Sequence, residues 1–182
     1  MERDITNLDQ RLPAIRVRDV ILAALQAAFS RDDLVGERDN PYRFIRDDPR
    51  ASKVWITSPE GRHEFTERDG RRMMVTVGRG DYVPQELHLH NTQGRNWSDR
   101  EDFSDLGTTQ IVISCEAGTE VQSEVLASIC YGTLKIFRRP IMADFDIHNL
   151  SMLGISPPSY SEQIPGNPWV TLVNLRAEVQ EY

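Results

Sequence analysis

The stretch from Gly107 to Arg139 constrains the fold of this chain more than any other. Thr109-Gln110-Ile111-Val112-Ile113-Ser114-Cys115 is rich in β-branched residues and reads as a strand. Glu116-Ala117-Gly118 turns the chain, and Thr119 opens a long amphipathic helix. Thr119 with Gln122 three residues later is a capping-box pattern, in which side chains satisfy the first free N–H groups of a helix. Val121, Val125, Ile129 and Phe137 form one apolar stripe, with Leu126, Cys130 and Leu134 alongside. Glu120 and Glu124 suit the positive helix N-terminus, and Lys135, Arg138 and Arg139 suit a C-terminus stopped by Pro140. Every residue of the unit has a structural use, which leaves none over for an active site.

The rest of the chain supplies partners for this unit. Pro13 followed by Ile15, Val17, Val20, Ile21, Ala24, Leu25, Ala28 and Phe29 predicts a helix over Pro13–Arg31. Residues 37–50 read as a connector pinned to the core by Tyr42, Phe44 and Ile45. Strand-like pieces follow at Lys53–Thr57, more weakly at Arg62–Thr66, and at Arg71–Val77 after the hairpin signal Asp69-Gly70. Ala143–His148 alternates and reads as a strand, then Ile155–Asn167 is a Pro/Ser/Gly-rich excursion. Trp169–Val179 alternates cleanly, with Trp169, Val173, Leu175, Ala177 and Val179 on one face. The expected fold is α+β: a mostly antiparallel sheet with two helices packed on one face, in a single domain spanning residues 1–182.

Residues 78–106 stand apart, because a structureless segment of that length is uncommon in a compact domain. They hold Tyr82, Leu87, Leu89, Trp97 and Phe103 among many polar groups. Regular aromatic residues argue against disorder, so the segment reads as a long arm or hairpin that orders against something, with those five residues as its contact points.

Composition narrows the function. Hydrophobic residues make up 39% of the chain and charged residues 27%, which is a globular balance. No apolar run approaches the ~20 residues of a membrane span, and the polar start lacks a signal-peptide core, so assembly in the cytosol is expected. The net charge of −7 disfavours holding nucleic acid by its phosphates. Cys115 and Cys130 form no CxxC pair and are expected to be buried free thiols.

Candidate chemistry is sparse. His88-Leu89-His90 places two imidazoles on one side of a strand, where they can share a metal with Glu86, His63 or Asp81. That would make a small metal-dependent enzyme; ordinary loop histidines explain the pattern more simply. Asp144 and Asp146 can face one side of a strand and hold a divalent ion, although a solvated sheet face accounts for them far more simply. Arg79-Gly80-Asp81 is a short tripeptide of the kind that arises by chance, and no nucleotide-binding or nucleophile-elbow motif occurs. No enzyme activity and no cofactor are expected.

Four features in this order resemble the tail terminator, or tail completion and neck, proteins of tailed bacteriophages. They are the opening helix ending in LQAAFSRDDL, the segment TTQIVISCEAGTEVQSEVLASICYGTLKIF, the Pro/Ser-rich return, and the closing strand WVTLVNLRAEV. The resemblance implies a virion structural protein that is assembled in the host cytoplasm. Its subunits form a hexameric ring, which caps the tail tube protein and meets the head–tail connector. DNA would only pass through the channel, whose acidic wall repels it. Another phage assembly part, such as a head-closure, tail tube or baseplate protein, is the alternative the same features imply.

Overall fold

The computed structural model describes residues 13–31, 41–46, 48, 51–62, 73–84, 92–95, 101–103, 105–145, 147–164 and 168–181. Helix α1 spans Pro13–Phe29, and its buried residues Val17, Val20, Ile21, Leu25, Ala28 and Phe29 follow the predicted stripe. The connector behind it is tied down as expected. Phe44 is buried, its N–H donates to the Phe29 carbonyl at 3.0 Å, and its ring meets Trp55 at 5.4 Å. The Ser52 hydroxyl accepts from the Ile45 N–H and donates to the Ile45 carbonyl.

Strand β1, Val54–Thr57, is followed by a 3-10 turn at Glu60–Arg62 and by β2, Met73–Pro84. Arg62 therefore belongs to that turn; the rest of the weak strand expected at Arg62–Thr66 and the Asp69-Gly70 hairpin lie outside the described residues. β1 and β2 pair in parallel, with Val54 opposite Met73 and Thr57 opposite Thr76. Local strand patterns cannot reveal this, because a parallel pair needs a crossover rather than a tight turn. Arg18 of α1 braces the crossover through both carboxylate oxygens of Glu60, at 3.0 and 3.2 Å.

Two short strands, β3 at Thr92–Arg95 and β4 at Glu101–Phe103, pair antiparallel as a separate sheet. The chain then returns in β5, Asp105–Ala117, antiparallel to β2. Helix α2 spans Glu120–Asp144, β6 Ile147–Ile155, β7 Ser159–Tyr160 and β8 Trp169–Glu181. The main sheet has the order β1-β2-β5-β8-β6, with β7 also on β8. β5 borders β8 from Asp105 to Ala117, so β6 and β7 share β8's other edge end to end. Every pairing in this sheet except β1 with β2 is antiparallel, and the fold is α+β as expected.

Both helices cover one face. Val75 and Val77 of β2, Ile111, Ile113 and Cys115 of β5, and Val173, Leu175, Ala177 and Val179 of β8 join the helical residues in one core cluster. The alternate residues, among them Gln110 and Arg176, look to the other side, where both are exposed. Edge strand β6 carries two register shifts, and Gly154 sits at one of them with φ of +144°. A side chain there would be strained, and such bulges keep an edge from templating further strands.

Three expectations are corrected around α2. Pro140 lies inside the helix, which runs on to Asp144. Its missing N–H would have served the carbonyl of Ile136, but both residues are exposed, so water can take that role. Ala143 and Asp144 are consequently helical, and the strand begins at Ile147. The last helical turn also contains no basic residue; Arg138 instead donates to the Asn149 side chain at 3.1 Å. Finally, the buried stripe is Leu126, Cys130 and Leu134 with Ser123, Ala127 and Ile141, while Val121 and Val125 face outward.

Candidate functional surfaces

The predicted arm leaves the sheet between β2 and β5. Of its five candidate contact residues, Tyr82 is on β2 and half-buried. Its ring lies where a side chain on Gly107 would stand, so the glycine is needed for the close approach. Phe103 ends β4 and is the register partner of Thr92. Leu87, Leu89 and Trp97 lie outside the described residues. The structure thus places Tyr82 against its own hairpin and Phe103 on the small separate sheet.

The candidate ion sites fare differently. His63, Glu86, His88 and His90 lie outside the described residues, and Asp81 is exposed on β2. Among the described residues, no group of three His, Cys, Asp or Glu could hold a metal ion. The Asp144–Asp146 strand pair does not exist as expected, because Asp144 ends α2; Asp146 lies outside the described residues. Arg79-Gly80-Asp81 is extended within β2 rather than displayed on a loop.

The two cysteines are free and buried, with their sulfurs 3.9 Å apart between β5 and α2. The neighbouring Cys130 thiol, burial, and the negative charge of Glu116 together hold the Cys115 thiol well above its ordinary value of 9.0. A thiol that keeps its proton is a poor nucleophile, which agrees with a packing role. The folded chain therefore holds this proton longer than the unfolded chain. The stability so gained is complete below pH 9 and is lost as pH rises towards the folded-state value. Unfolding free energy in that range is expected to fall by up to ~1.4 kcal/mol per pH unit on this account. Denaturant titrations from pH 8 upward check it, and Cys115→Ala is expected to flatten the slope.

A buried hydroxyl pair that the sequence pattern did not single out joins α2 to the sheet. Ser123 Oγ donates to the Glu120 carbonyl at 2.8 Å and lies 3.0 Å from Thr171 Oγ1. Since Ser123 has one proton to give, Thr171 is the donor of the second bond. Both residues are fully buried. Thr171→Val is expected to cost ~1–2 kcal/mol, measured by chemical denaturation, because it leaves Ser123 a lone pair without a donor.

Two further surface features stand out among the described residues. A shallow cleft of about 170 Å³ opens between the C-terminal ends of the helices, with Ala24, Ala28, Phe137, Pro140 and Phe145 in its lining. That is below the ~300–1,000 Å³ of most small-molecule sites. The outer side of α2 carries exposed apolar residues among charged ones, with Val121 67% and Ile136 73% exposed. No described helix is long and apolar enough to cross a membrane. The chain matches no known family model and no curated protein.

Proposed function

We propose that this protein is a structural subunit of a tailed-phage virion: a tail terminator or neck protein that forms a hexameric ring. The ring caps the tail tube, meets the head–tail connector, and lets DNA pass without holding it. The subunit performs no catalysis and takes no cofactor in this role.

The observation that carries the proposal is the β3–β4 pair. It forms a two-stranded sheet of its own, inserted between the two long strands β2 and β5. A two-stranded sheet is marginal in water without a surface to rest on. An arm that ends in one is suited to lie against a neighbouring subunit, as head-to-tail ring contacts require. The α+β sheet with both helices on one face agrees with the fold that the phage resemblance implies. The net charge of −7 suits a channel wall that DNA must slide past.

Polymerising tail tubes in the presence of the pure protein tests the reading. Electron microscopy is expected to show tubes stopped at a ring-shaped cap, and mass photometry to show the free ring. A protein that never associates with tubes, and forms no ring at any concentration, overturns it.

A further inference from the structure

We propose that the outer face of α2 binds the same face of a second copy of this chain, with the two helices antiparallel about a two-fold axis. Val121, Val125, Ile129, Gly132 and Ile136 follow one another at spacings of four, four, three and four residues. They therefore form one continuous ridge along the helix. Val121, Val125 and Ile136 are exposed on the side away from the core stripe of Leu126, Cys130 and Leu134, while Ile129 between them is partly buried and also packs against the core. Exposed apolar residues scattered singly need no explanation, but Val121, Val125 and Ile136 fall on one line along the helix. At its middle, nothing lies within 4 Å of where a side chain on Gly132 would stand, and Ser128 beside it is small. The ridge is low there, so two helix axes can approach closely.

The charges select the occupant. Glu120 and Glu124 stand at one end of the outer face, Lys135 and Arg139 at the other, and all four are exposed. Within one helix each pair is a like-charge pair four residues apart, which is unfavourable. Glu124 and Lys135 lie on the same flank of the ridge. A two-fold axis passing beside Ile129 and Cys130 brings each Glu124 to the other copy's Lys135. The same axis seats Ile136 of one copy between Val121 and Val125 of the other. A parallel pairing would instead set Glu124 against Glu124 and Lys135 against Lys135. The self-complementary arrangement identifies a second copy of this chain as the partner. A two-fold contact is isologous, whereas a ring closes by heterologous contacts, so this pairing is separate from the ring and stands without it.

Sedimentation equilibrium of the full chain, with charge variants, tests the pairing. Wild type is expected to self-associate in multiples of two. Glu124→Lys and Lys135→Glu are each expected to weaken association at least tenfold, and the double variant to restore it. Wild type that stays monomeric, or assembles only into rings that the single variants leave unchanged, overturns the pairing. So does a double variant no better than the singles. Disulfide trapping fixes the direction. Val125→Cys mixed with Ile136→Cys is expected to cross-link between copies. Neither variant alone should do so, since identical positions lie ~14 and ~20 Å apart along the axis at ~1.5 Å per residue. Cross-linking of each variant with itself would mean a parallel contact and end the proposal.

Discussion

Leu134→Ala is expected to lower the unfolding free energy of the dilute, unpaired chain by ~3–4 kcal/mol, while Val121→Ala on the same helix changes it by less than ~0.5 kcal/mol. Leu134 is fully buried in the cluster that α1, α2, β5 and β8 share. Truncating it removes apolar surface from a close-packed interior and leaves a cavity that its neighbours fill only in part. Val121 is 67% exposed, so its truncation removes little that folding had buried. In a domain of this size the Leu134 loss corresponds to a fall in melting temperature of ~6–16 °C, readable by calorimetry or thermal denaturation. Similar losses at both positions would mean that α2 is rotated about its axis relative to the structure.

The comparison bears on how much of α2 its sequence reveals. Its start was legible because Thr119 acts locally: its hydroxyl accepts the Gln122 N–H at 3.3 Å. Its orientation was not, because the helix has apolar residues on two sides. The Val121–Val125–Ile129 row and the Leu126–Cys130–Leu134 row both satisfy helical spacing, and only the sheet beneath decides which is buried. Its end is not legible locally, because Pro140 is a strong stop signal, yet the carbonyl it orphans lies on the exposed side.

The sheet divides in the same way. Trp169–Glu181 alternates, and Val173, Leu175, Ala177 and Val179 are buried as read, since the side-chain period of a strand needs no knowledge of partners. The parallel placement of β1 depends on a crossover path that no local pattern encodes. For the candidate contact surface, composition drew attention to residues 78–106. It did not show that Tyr82 would be engaged with Gly107 of its own hairpin, because that contact joins two strands distant in sequence.

Replacing residues 85–106 with Asn-Gly is expected to abolish ring formation and tube capping while leaving the domain folded. Pro84 and Gly107 are register partners at the end of the β2–β5 pairing. A two-residue loop can therefore close that hairpin, and Asn-Gly favours the turn that matches strand twist. Shortening the connection also lowers the entropy of loop closure. The deletion takes away the β3–β4 sheet and, from β8's border, only Asp105 and Leu106. The described core cluster is built from α1, Phe44, β1, β2, β5 from Ile111 onward, α2, β6 and β8, all of which the variant keeps, so circular dichroism and a cooperative thermal transition should survive. If the arm is what reaches a neighbouring subunit, mass photometry then shows no ring, and tubes grow uncapped in electron micrographs. Rings that form and cap normally without the arm would remove it from the contact and leave the ring to be closed by the surfaces of the main sheet and its helices. A two-fold species held by α2 is expected to persist in the deletion variant, because Val121, Gly132 and Ile136 lie on a helix that the deletion does not touch. One variant thus separates the two kinds of contact: the arm acts between ring neighbours, and α2 acts across a two-fold axis.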